Sequence, residues 1–174
     1  MSDTQISKKY FGTDGIRGLA NEHPMDGEMA MRVGRAIVGW IRKHHPERKR
    51  PKVLLGKDTR LSCYMLEYAL SSGVASMGGE ALLTGPIPTP GVSFLTTSMR
   101  ADAGVMISAS HNPFTDNGIK VFGPDGIKLT DAEEVDIEGL IDANGGTFRP
   151  QPDRIGKMTR IDDAVGRYIV ELKH

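Results

Sequence analysis

Between residues 52 and 107 short apolar runs alternate with segments of helical period, a rhythm that leaves few folds open. Lys52–Gly56 reads as a strand rich in Val and Leu. A helix follows over about Ser62–Met77, with Leu66, Ala69, Leu70, Val74 and Met77 on one stripe. Gly78-Gly79 stops it, Glu80–Thr84 is the next strand, and Pro86, Pro88 and Pro90 make a turn. Gly91–Met99 reads as a shorter helix and Gly104–Ile107 as a third, wholly apolar strand. Strands joined through helices call for right-handed crossovers. The expected fold is therefore α/β, three layers with a mostly parallel mixed sheet between helices, and with the site in loops at the strands' carboxyl ends.

The flanks fit this plan. Met29, Val33, Ala36, Ile37, Trp40 and Ile41 recur at three- and four-residue spacings, predicting an amphipathic helix over Asp26–His44 with Asp26 as its cap. Ile119–Phe122 and Ile127–Leu129, around Gly123–Gly126, read as a hairpin. Thr130-Asp131-Ala132-Glu133 has the form of a capping box opening a helix to about Ala143. Past Asn144-Gly145-Gly146 the stretch Phe148–Met158 is rich in Pro, Gly and charge, as a linker would be. A last helix over Asp162–Lys173 meets no stop signal. The expected division is a domain over residues 1–150, then a linker and the truncated start of a second unit over residues 151–174.

The third strand runs into Ser-Ala-Ser-His-Asn-Pro-Phe-Thr-Asp-Asn-Gly-Ile-Lys, residues 108 to 120. Ser110 at a strand's carboxyl end is presented to a cleft, with His111 and Asn112 as donors beside it and Pro113 fixing the exit of the chain. Asn117-Gly118 is expected to form a tight turn that brings Lys120 back towards the serine. Such donors suit an oxygen carrying a phosphoryl group, because they offset a charge of roughly −1.5 to −2. The same residues are ordinary loop vocabulary, so a turn-capping Ser110 with Lys120 as a surface cation stands beside this reading. Two further Gly- or Ser-rich loops each carry an arginine: Phe11-Gly12-Thr13-Asp14-Gly15-Ile16-Arg17-Gly18, and Gly56-Lys57-Asp58-Thr59-Arg60-Leu61-Ser62. Loops of this kind bring backbone N–H groups close to phosphate while arginine offers a bidentate fork. Arg60 is almost as well suited to a salt bridge with Asp58.

Lys and Arg balance Asp and Glu at 22 each, which argues against a generic nucleic-acid or anionic-membrane partner. Anion binding must then come from local charge. Cys63, the single cysteine, excludes an internal disulfide and reads as a small buried hydrophobe on a helix. The basic run His44–Arg50 reads as a solvated loop. Residues 1–5 lack the pattern of an export signal, and no apolar run approaches the roughly 20 residues needed to span a bilayer, so the expected location is cytoplasmic.

Together, the serine loop, the Phe-Gly-Thr-Asp-Gly-Ile-Arg-Gly opening and Gly85-Pro86-Ile87-Pro88-Thr89-Pro90-Gly91 resemble the first domain of the α-D-phosphohexomutase superfamily, on its phosphoglucosamine mutase branch. The resemblance implies that Ser110 carries the phosphoryl group and that glucosamine 6-phosphate and glucosamine 1-phosphate interconvert through glucosamine 1,6-bisphosphate, in service of UDP-N-acetylglucosamine and cell-wall precursors. Lys120 would assist proton transfer and offset charge, Arg17 would hold the reactive phosphate or the proton-relay network, His111 and Asn112 would orient the loop, and Arg60 would contact phosphate. The resemblance also implies Mg²⁺, with phosphorylated Ser110 as one ligand and the others in a second domain, since no Asp-Gly-Asp-Gly-Asp-Arg run occurs here. The partners implied are a phosphosugar and the remaining three domains of the enzyme, with a homodimer compatible. Residues 1–174 alone would then be inactive. Three alternatives stay open: the phosphomannomutase/phosphoglucomutase branch, a non-catalytic phosphosugar-binding module, and a hydrolase using Ser110 with His111. The hydrolase is disfavoured because neighbours on an extended chain point apart.

Overall fold

The computed structural model describes residues 7–173; the N-terminal stretch read as lacking an export signal, residues 1–5, lies outside them. Among the described residues the elements run β1 (Phe11–Gly12), β2 (Gly15–Leu19), α1 (Gly27–His44), β3 (Lys52–Lys57), α2 (Leu61–Ser76), β4 (Glu80–Pro86), α3 (Thr89–Ser98), β5 (Ala103–Ile107), β6 (Asp116–Phe122), α4 (Asp131–Asp142), β7 (Met158–Arg160) and α5 (Ala164–Glu171). The strands form one sheet in the order β1-β2-β6-β5-β3-β4-β7. The neighbours β5, β3, β4 and β7 pair in parallel, whereas β1, β2, β6 and β5 pair antiparallel. The sheet is thus mixed, with its parallel part where the strand and helix alternation lies.

The alternation of side chains along each strand creates two cores. Val53, Leu55, Val105 and Ile107 turn to one face, where Val33, Ile37 and Ile41 of α1, Leu66 and Leu70 of α2, and Ile137 of α4 cover them. Leu54 and Met106 turn to the other, against Val92 and Leu95 of α3 and Ala164 of α5. Each fully buried aliphatic side chain of this kind contributes about 1.5 to 3 kcal/mol relative to exposure. The result is the expected three-layer α/β/α fold.

The helix limits follow local chemistry. Asp26 accepts from the Met29 amide at 2.7 Å to start α1. Thr130 and Glu133 form the reciprocal capping box of α4. Gly34 and Gly73 lie where α1 crosses α2, and a Cβ on either would run into the facing helix's backbone, at Leu70 and at Met31 respectively.

Three expectations need correction. The Phe11–Gly18 stretch is a β-hairpin rather than an open loop, and Arg17 stands on β2 opposite Gly118. The Asn117-Gly118 pair makes no turn; both residues lie inside β6. Asn117 is fully buried, and its amide spans to Ser62 Oγ at 2.8 Å and Cys63 Sγ at 3.2 Å, so it serves the start of α2 instead. A Cβ at position 118 would meet the Ser108 carbonyl at 2.7 Å, which is why glycine sits in that strand. The expected hairpin over 119–129 contracts to one bridge, Phe122 to Lys128, because the following chain turns into α4. Residues 158–160, beginning at the last residue of the expected linker, add β7 to the sheet edge, and the Tyr168 ring of α5 rests 6.3 Å from the Phe94 ring.

Candidate functional site

β5 ends at Ile107, and residues 108–115 cross to β6 at the sheet's carboxyl end. Ser110 sits in this loop with φ +57°, the left-handed region that costs a non-glycine residue about 1 kcal/mol or more. This backbone lifts its hydroxyl into a cleft of about 420 Å³, bordered by Asp58, Thr59, Pro88, Thr89 and Ser108. A larger cavity of about 490 Å³, among Arg42, Lys49, Arg50, Phe148 and Arg154, has no hydroxyl, thiol or carboxylate side chain in its lining.

The left-handed turn overturns one expectation. The chain is not extended at Ser110, and His111 Nδ1 comes to 3.4 Å from Ser110 Oγ instead of pointing away. That separation is long for a hydrogen bond, and among the described residues no carboxylate orients the ring, so the three-part order of a hydrolytic triad is not assembled.

Both arginines hold the serine loop by its backbone carbonyls, and Arg17 also by the Asn112 side chain. Arg17 donates to the Ala109 carbonyl and to Asn112 Oδ1, each at 3.2 Å, and its second fork nitrogen meets Asp14 at 2.6 Å. Arg60 pairs with Asp58 at 3.2 Å and also donates to the carbonyls of Ser110 (3.0 Å), Asn112 (2.9 Å) and Asp116 (3.1 Å). The salt bridge weighed from the sequence therefore exists, and it does not exhaust the guanidinium. Asn112 closes the loop onto Asp116 at 3.0 Å.

Lys120 stands on β6 opposite Met106 and pairs with Asp14 at 2.6 Å. It reaches the site along a strand rather than by the expected turn, and it joins the serine loop through Asp14 and Arg17. Arg17, Arg60, Asn112, His111 and Ser110 are thus in direct contact as one cluster, while Lys120 is linked to it by one carboxylate.

Electrostatics explain why the carboxylates stay charged. The bond from Lys120, helped by Arg17, holds the Asp14 carboxyl below its ordinary value despite some desolvation. Burial pulls Asp58 upward, but bonds from Cys63, the Arg60 amide and Ser108, with the Arg60 charge, outweigh it and leave it lowered. Burial pushes the Cys63 thiol up to about 12, so it behaves as the inert hydrophobe expected.

Four participants escaped the sequence reading: Asp14, Ser108, Asp116 and the wider role of Asp58. A signal existed for Ser108, which lies two residues before Ser110, and for Asp14, three before Arg17. Neither spacing reveals partners from distant strands.

A divalent cation finds little here. Asp14, Asp58 and Asp116 are engaged by Lys120, Arg17, Arg60 and Asn112, and among the described residues no three His, Cys, Asp or Glu side chains converge as a metal cage. The residues present do not fit a complete metal site. No helix among the described residues is long and apolar enough to cross a membrane.

Comparison with known proteins adds an independent line. The family model described as phosphoglucomutase/phosphomannomutase, alpha/beta/alpha domain I, matches residues 8–147. Two relatives named phosphoglucosamine mutase, from an Anaeromyxobacter species and from Desulfotalea psychrophila, are 56% and 58% identical over 97% and 96% of this chain. The chain spans only 36% and 37% of their lengths. A solved phosphoglucomutase/phosphomannomutase family protein from Burkholderia thailandensis superposes with a TM-score of 0.75 at 26% identity, over 94% of this chain and 35% of that one.

Proposed function

Because this chain belongs to the phosphoglucomutase/phosphomannomutase family, whose first α/β/α domain it contains, we propose that it is the phosphoserine-bearing part of a phosphoglucosamine mutase. The observation that carries the reading is Ser110 itself, a hydroxyl raised into a cleft on a strained backbone, with its loop clamped by two arginines. The identity above 50% to relatives of that name supports the glucosamine branch.

In this reading the O–P bond of phosphorylated Ser110 breaks as a new O–P bond forms to the free hydroxyl of glucosamine 6-phosphate or glucosamine 1-phosphate. The sugar hydroxyl gives up its proton and Ser110 Oγ gains one. The resulting 1,6-bisphosphate turns over in the cleft and returns its other phosphoryl group to the same serine. Transfer of this kind depends on alignment and on charge set beforehand. Lys120 and Arg17, joined on Asp14, supply positive charge and support proton transfer; His111, Asn112 and Arg60 hold the loop. Mg²⁺, bound in part by the phosphoserine oxygen and otherwise by residues beyond this domain, would add charge stabilisation. The remaining domains of a longer chain would complete the sugar site.

The test is a coupled assay of the full-length enzyme with glucosamine, glucose and mannose phosphates. The glucosamine substrates should have the highest kcat/KM by at least about tenfold. Preference for glucose or mannose phosphates would move the assignment to the other branch, which the Burkholderia likeness also accommodates.

A further inference from the structure

Ser110 is held from both sides of its own residue by groups that rest on one carboxylate. On the amide side its N–H donates to Ser108 Oγ at 3.0 Å, and the Ser108 hydroxyl donates in turn to Asp58 Oδ2 at 2.7 Å. On the carbonyl side its oxygen accepts from Arg60, whose Nε lies 3.2 Å from the same Asp58 Oδ2. The other oxygen of Asp58 accepts from the Arg60 amide at 2.9 Å and from Cys63 at 3.0 Å, which fixes the carboxylate at the start of α2.

We propose that Asp58 and Ser108 are positioning residues for phosphoryl transfer, forming with Arg60 a clamp that locks Ser110 in its left-handed conformation. The inference rests on the mutase reading for its kinetic consequence but not for its geometry. Ser108 suits this task because the single oxygen of a hydroxyl can accept from the Ser110 amide and donate to the carboxylate at once. It is also 6% exposed, so water does not readily replace it. Polarisation by Asp58 strengthens the bond to the Ser110 N–H. The clamp also spends that N–H on the fold rather than on the phosphoryl group, leaving the transferring charge to the cations around it. Reorienting the nucleophile by about 1 Å is enough to cost large factors in rate.

The experiment uses the full-length enzyme and three proteins: wild type, Ser108→Ala and Ser108→Thr. The alanine variant should lose at least about tenfold in kcat with KM changed by less than about threefold, while threonine, which keeps the hydroxyl, recovers most of the rate. An unchanged kcat in Ser108→Ala would overturn the clamp, as would threonine performing no better than alanine. Hydrogen exchange at the Ser110 amide in wild type stands independent of any variant's folding. Exchange at least about tenfold slower than in an unbonded loop amide is expected, and unprotected exchange overturns the proposal. Wild-type enzyme without mutase turnover would sink the functional reading alone, with the amide measurement still deciding the clamp.

Discussion

Asp14 carries two cations at once, Lys120 and Arg17, and it links the strand lysine to the serine loop. The bond from Lys120, with Arg17 beside it, holds its carboxyl below the ordinary carboxylate value. A lowered acid contributes stability that is complete above its unfolded pKa and is lost as the pH falls through the folded one. Chemical denaturation of wild type and Asp14→Asn between about pH 6 and about pH 2.5 should therefore show the wild type ahead at the upper end, with the gap closing at the lower. A gap independent of pH would mean that Asp14 does not act through its charge. Asp14 is half exposed, so solvent screening keeps the effect small. At this scale the sequence was informative wherever chemistry is carried by the local run: Ser110, His111, Asn112 and Arg17 all fall in one cluster. Lys120 reached the cluster by a different route, because Asn117-Gly118 has turn composition but its side chain and its missing Cβ answer to Ser62, Cys63 and Ser108 from other elements. The left-handed backbone at Ser110 was equally hidden, since it depends on acceptors and donors more than 40 residues away in Arg60 and Asp58.

The helices and central strands were legible because their periodicity is strong and their caps are local. Asp26 and the Thr130–Glu133 box start α1 and α4 where expected. Strands β1 and β7, of two and three residues, carry no period to read; they exist through pairing with β2 and β4. The crossing of α1 on α2 is sensitive to a single added atom. Gly34 and Gly73 each bring their own helix against the other's backbone. Gly34→Ala gains helix propensity of about 1 kcal/mol, yet forcing the helices apart should outweigh that gain, for a net loss of about 1 to 3 kcal/mol. Urea denaturation measures it, and a variant as stable as wild type or more so would show that the crossing yields without strain. Helix α5 presents a contrast, with Ala164 buried on α3 while Val165, Ile169 and Val170, and Leu172 just past its end, remain exposed.

For the molecule as a whole, strand β2 and the loops after β3 and β5 meet at the serine loop, so the fold brings together arginines and a serine separated by up to 93 positions. The sheet's division into a parallel and an antiparallel half makes this meeting geometric: β6 returns antiparallel beside β5 and carries Lys120 next to the Arg17 strand. In the mutase reading this assembly holds a phosphoryl group on Ser110. The most direct measurement is peptide-level mass spectrometry of the full-length enzyme after incubation with a hexose bisphosphate, alongside Ser110→Ala. A single phosphate on Ser110 in the wild type and none in the variant is expected; phosphate on another residue, or phosphate retained after Ser110→Ala, would rule out Ser110 as the carrier.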